Sequence, residues 1–197
     1  NPAAMATKSV GSTLSVNFSA GASRNYALAY QPFFVTGDMV SDGKGGSILS
    51  GGYYDIHNQP IVDNSVAGDP RQFFSDSPDG TSLLTVPNAA AAGVNGHTVF
   101  AVVQFEYTTW AHYGVTDMYG KLPSPIAILT LDQDPATGKL TLVKYHNVDT
   151  SGANGLWITC GASVSPWGPH LSSEEYEPDA FALAAHAQFH AFSKNLY

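Results

Sequence analysis

The stretch C-G-A-S-V-S-P-W-G-P-H-L-S-S-E-E, Cys160 to Glu175, holds the only cysteine of the chain and two adjacent acids, Glu174 and Glu175. Only 12% of the residues are charged, so this concentration of acid is not a habit of the whole sequence. Pro166 and Gly168 bracket Trp167, a pattern that turns the backbone sharply and folds the segment back on itself. A thiolate and two carboxylates gathered in such a corner repel one another unless cations stand among them. Carboxylates suit hard ions such as calcium, whereas a thiolate suits iron or zinc, so the mixture points to more than one metal type. The plain alternative is a surface loop with solvated glutamates and a buried Cys160. A third reading makes Cys160 a nucleophile activated by His170, but neighbouring carboxylates raise a thiol's pKa and work against it.

Other chemistry-bearing residues have plainer readings. His186 and His190 share a helical face and a chelating spacing, yet lack the intervening glutamate of a zinc-protease helix. Asp132 and Asp134 sit in D-Q-D-P-A-T-G, which lacks the distal Glu of a calcium-binding EF-hand loop and reads as a turn. Trp110, Trp157 and Trp167 suit a core or a ligand pocket, and Tyr107 and Tyr176, each following a glutamate, are placed to pack over the acids. Asn17-Phe18-Ser19 is a glycosylation sequon, relevant only to a eukaryotic secretory pathway.

The elements that must position these residues read as strands joined by turns. Gly (19 residues), Pro (12) and aromatics (12%) are abundant, a bias of all-β folds, and 197 residues suffice for one domain with a core. Residues 11–35 alternate loosely as short half-buried strands, and 36–52 form a Gly- and Ser-rich loop able to turn at Asp42-Gly43. G-G-Y-Y-D-I, the turn S-D-S-P-D-G, and S-L-L-T-V-P follow as strand, turn and strand. His97 to Tyr107 is a continuous run of β-branched and aromatic residues, which predicts a central strand covered on both faces. The segment A-I-L-T-L-D-Q-D-P-A-T-G-K-L-T-L-V-K-Y predicts a hairpin turning at Asp132 to Lys139. After Asp179, A-F-A-L-A-A-H-A-Q-F-H-A-F predicts one short helix ending near Ser193. No repeat of fixed length is present.

Eight basic against sixteen acidic residues give a net charge of -8, which repels rather than gathers the backbone of a nucleic acid. No apolar run is long enough for a membrane span. The N-terminal N-P-A-A-M-A-T-K-S-V reads as the loose start of a mature chain whose leader has been removed, an expectation of export.

The motif G-L-W-I-T-C-G-A-S-V-S-P-W-G-P-H-L-S-S-E-E resembles the signature of PhoX-type alkaline phosphatases: a strand ending in Cys, a Gly-rich turn into T/S-P-W-G, and a closing Glu-Glu pair. Upstream, V-V-Q-F-E-Y is similar to that family's strand ending in an Asn-His-Glu-like triplet, with Gln104 and Phe105 replacing its first two residues and Glu106 matching the third. The resemblance implies a β-propeller, periplasmic or extracellular, that hydrolyses phosphate monoesters with iron and calcium. Under it Cys160 ligates iron, Glu174 and Glu175 hold iron or calcium, and Glu106 joins the same cluster. It also implies that residues 1–197 form the N-terminal part of the propeller. The expected partners are a phosphate ester substrate and a second polypeptide, or further copies of the chain, completing the ring. The alternative is a secreted propeller, calcium-bound, that binds or supports without hydrolysing.

Overall fold

The computed structural model describes residues 9–111, 114, 116–176, 181 and 185–197. The expected mature N-terminus lies outside them. So do parts of the predicted helix between residues 180 and 184. The chain separates into two units, the described part of residues 1–33 and Phe34–Tyr197. The first is an antiparallel hairpin, β1 (Ser9–Asn17) with β2 (Ser23–Ala29).

Among the described residues the second unit is mostly strand, with a C-terminal α-helix and one short 3-10 turn at Ser151–Ala153, the all-β class expected from composition. Its centre is a four-stranded antiparallel sheet in the order β10-β9-β8-β7. Those strands are β7 (Pro78–Leu84), β8 (His97–Phe105), β9 (Ile126–Gln133) and β10 (Leu140–Asn147). The predicted central strand is β8, paired on both sides, with Val99, Ala101, Val103 and Phe105 all buried. These four share one face, where Ala127, Leu129 and Leu131 of β9 lie beside them and the Phe34 ring packs on Phe105, while Val102 and Gln104 are buried on the opposite face, where Gln104 meets β11. The Asp132 to Lys139 turn joins β9 and β10 as predicted. Asp134 accepts from the Ala136 and Thr137 N–H groups, and Asp132 accepts from Asn95 and Gly96 N–H, so both acids serve turns.

Short pairs surround this sheet: β3 (Met39–Ser41) with β4 (Ser47–Leu49), and β5 (Val62–Asp63) with β6 (Arg71–Gln72). The Gly-rich segment read as loop is thus a small hairpin, with the Asp42 carboxylate gripping the Lys44 and Gly46 N–H groups at 2.7 and 2.9 Å. The predicted strand G-G-Y-Y-D-I makes only single bridges, Gly52 with Phe74 and Tyr54 with Pro60. The predicted turn at Ser75 to Gly80 is corrected in its second half, where Pro78 to Gly80 open β7. Proline and glycine are accommodated there because β7 edges its sheet and its register shifts between Pro78 and Thr81.

The last pair, β11 (Thr159–Val164) and β12 (His170–Glu174), turns at Ser165 to Gly168, where Gly168 N–H donates to the Ser165 carbonyl at 2.9 Å. The sharp turn expected at Pro166 to Gly168 is thus present, and it closes a hairpin. Helix α1 (Ala187–Leu196) starts later and runs further than expected. It buries Phe192 and Leu196 against Trp157 and Ile158, contacts that stabilise by about 1.5–3 kcal/mol per large side chain. His186 caps its start by accepting from Phe189 N–H at 3.2 Å.

Candidate metal centre

Three strand ends bring the candidate side chains together. Asp79 lies near the start of β7, Glu106 directly follows β8, and Cys160 is the second residue of β11. One ligand atom from each lies within 4.8 Å of the others. Glu175, directly after β12, adds a fourth group, its carboxylate in hydrogen-bonding reach of the Cys160 thiol, as is that of Asp79.

Local packing fixes this convergence. The Ser124 hydroxyl, buried, donates to the Glu106 carbonyl at 2.7 Å and accepts from Thr159 N–H at 3.4 Å, tying the end of β8 to the start of β11. Gln104, fully buried, donates its side-chain amide to the Cys160 carbonyl and to the Gly161 carbonyl, the latter at 3.2 Å. With its N–H groups directed at carbonyls, the Gln104 amide oxygen faces His170 Nε2 at 3.3 Å, so Nε2 carries the hydrogen. His170 Nδ1 then accepts from the Ser82 hydroxyl at 2.9 Å. Burial lowers the pKa of His170 and keeps the ring neutral. The residue considered as a base for Cys160 is instead spent on positioning its backbone.

Gly80 completes the approach of β7 to β11. A Cβ there would collide with the Cys160 carbonyl oxygen and stand 2.6 Å from Gln104 Nε2. Any other residue at 80 would push Asp79 away from the thiol.

The two adjacent glutamates divide. Glu174 accepts the Trp157 N–H at 2.7 Å, outside the thiol group, while Glu175 donates its N–H to the Ile158 carbonyl at 3.0 Å and aims its carboxylate at the centre. Consecutive residues of an extended chain point to opposite sides, which an adjacent pair in sequence conceals. The backbone around them is strained: Ile158 (φ 42°), β-branched and buried, and Tyr176 (φ 55°) both occupy the left-handed region. Such conformations cost about 1–3 kcal/mol each and persist where the surroundings over-determine them. Here the Trp157 indole N–H also donates to the Tyr176 carbonyl at 2.9 Å.

The electrostatics follow from this crowding. The Cys160 pKa is pushed up to about 12, first by its hydrogen bonds to Asp79 and Glu175 and then by burial and their charge. Glu106 is raised by burial first, then by Asp79 and Glu175. Tyr176 is raised by the charge of Glu175 and by donating to it. Tyr119, beside Tyr107 and near Tyr176, rises to about 12 through burial, Tyr176 and Glu106. Among the described residues no Lys or Arg forms an ion pair with Asp79, Glu106 or Glu175. Tyr176 thus flanks Glu175 as expected, whereas Tyr107 packs on Tyr119 and against the cluster of Trp157 and Ile158; Trp157 is core, and Trp110 and Trp167 stand exposed.

Sequence reasoning named Cys160, Glu175 and Glu106, which the fold brings together, and missed Asp79, hidden in what reads as a turn. No family model, curated protein or solved structure matches this chain.

Proposed function

We propose that the chain carries the metal centre of a phosphate monoester hydrolase, and that Asp79, Glu106, Cys160 and Glu175 hold the metal. The observation that carries the reading is the approach of Asp79, Glu106 and Cys160 to within 4.8 Å without a described cation between them. Asp79 is exposed and Glu106 and Cys160 are half-buried, and a bound ion would offset the mutual repulsion of the acids and favour the thiolate.

The donor set fits the metals that the PhoX resemblance implies. A thiolate with carboxylates suits iron, while calcium would draw only on the oxygens of Asp79, Glu106 and Glu175. When bound, such ions supply Lewis acidity toward the phosphoryl group and neutralise its charge. The chain's own part is to keep the donors fixed through Gln104, Ser124 and Gly80, and to wall one side of the centre with Tyr119 and Tyr176. The β7–β10 meander is compatible with one blade of a propeller, completed by a second polypeptide or further copies in an exported protein.

Hydrolysis of p-nitrophenyl phosphate by the iron- and calcium-loaded protein tests the reading. Activity that falls at least about a hundredfold in Glu106→Gln supports it. A second reading, metal binding without hydrolysis, is favoured by the same lack of described Lys or Arg beside the centre, since a phosphate ester is usually clamped by cations. Loaded protein without activity would select that second reading.

A further inference from the structure

We propose that a groove lined by Met39, Ile48, Leu49, Pro60, Phe74 and Arg71 binds a small amphipathic monocarboxylate, its apolar body in the groove and its head on the Arg71 guanidinium. The groove shares no residue with the acidic centre, so the inference does not depend on that site. Its volume of about 530 Å³ falls within the range of small-molecule sites, and its walls are mainly apolar with one charged group.

Arg71 is prepared for an anion. Its guanidinium carbon lies 5.7 Å from the centre of the Phe74 ring, which supports the planar group through its face and leaves its edges for hydrogen bonding. Its one ion pair, Nε to the buried Asp63 at 3.9 Å, is too long for a hydrogen bond. Among the described residues its side chain therefore spends none of its five donors, although 41% of it is exposed. A guanidinium edge of this kind matches the two oxygens of a carboxylate. Among the described residues no lysine and no second arginine line the groove, and Arg71 already stands beside Asp63, so its open donors suit a monocarboxylate and its charge is too little for a phosphate dianion. In a chain of net charge -8, an anion entering here needs this local cation to offset the general repulsion.

Isothermal titration of the full chain with phenylbutyrate, and with the uncharged phenylbutanamide of nearly the same shape, tests the proposal. The carboxylate is expected to bind at one site, tighter than the amide by about tenfold, the worth of one charge-assisted pair. Removing Arg71 alone would take a cation from beside the buried Asp63, so the double variant Arg71→Met with Asp63→Asn is used, and it should bring the carboxylate down to the affinity of the amide. Met39→Trp, at an exposed position, should fill the groove and weaken both ligands. Equal binding of the two ligands to the unaltered chain, no binding of either at millimolar concentration, or an unchanged affinity in Met39→Trp would overturn it.

Discussion

Gln104 and Cys160 are 56 residues apart in sequence, and the buried amide of the first donates to the backbone carbonyl of the second. This bond fixes where β11 passes the end of the central strand, and so where the thiol stands relative to Glu106. Gln104→Leu removes both donors, takes this partner from the Cys160 carbonyl and from His170 Nε2, and leaves the Gly161 carbonyl with the Ser173 hydroxyl. It is expected to cost about 1–3 kcal/mol, lowering the thermal midpoint by several degrees in circular dichroism. A midpoint unchanged within error would show that the amide does not hold the strand.

Gly80 is expected to tolerate no side chain. Gly80→Ala drives a methyl group into the Cys160 carbonyl, so both stability and metal affinity should fall, by about 1–3 kcal/mol for the former. Retained affinity together with retained stability would argue against close contact of β7 and β11.

Glu106 should separate stability from binding. In metal-free protein its charge is opposed by burial, Asp79 and Glu175, which raise its pKa above the unfolded value. A carboxyl group raised in this way binds its proton more tightly when folded, so it lowers stability as pH rises through the carboxylate range. Glu106→Gln is therefore expected to leave metal-free protein as stable or more stable at neutral pH while abolishing metal binding. Chemical denaturation beside metal titration checks both signs, and a large loss of stability would contradict the first.

His170 acts in the other direction on acidification. Burial lowers its folded pKa, so below the ordinary imidazole value of about 6.5 the unfolded chain takes up the proton first. The contribution of His170 is full at neutral pH and is lost as pH falls through that value toward the lower folded one. Thermal melts from neutral to mildly acidic pH should show a decline that is shallower in His170→Gln. Identical slopes would mean that the ring is solvated in the folded protein.

How far the sequence disclosed this arrangement depended on whether a feature was local. The β-branched run of β8 and the Pro and Gly of the β9–β10 turn carry their own conformation, and both elements form where expected. The Pro-Trp-Gly turn likewise forms β11–β12. Asp79 was not legible, because Asp-Gly between proline and a polar run is the usual chemistry of a turn, and only pairing with β8 draws it into an edge strand. The parting of Glu174 from Glu175 follows from the alternation of an extended chain, and which of the two meets the thiol is set by the pairing of β12 with β11 and by the Trp157 N–H that holds Glu174, none of which the two identical residue types announce. The role of Gln104 was hidden for a similar reason, since a lone amide in an apolar run gains meaning only from the carbonyls that pack beside it.

The most direct measurement of the central claim is the metal content of purified protein by elemental analysis, compared with Cys160→Ala and Asp79→Ala. The expected result is iron at about one ion or more per chain in the unaltered protein, with calcium accompanying it, and loss of the iron in both variants. Protein that is folded yet takes up neither iron nor calcium on reconstitution would contradict it.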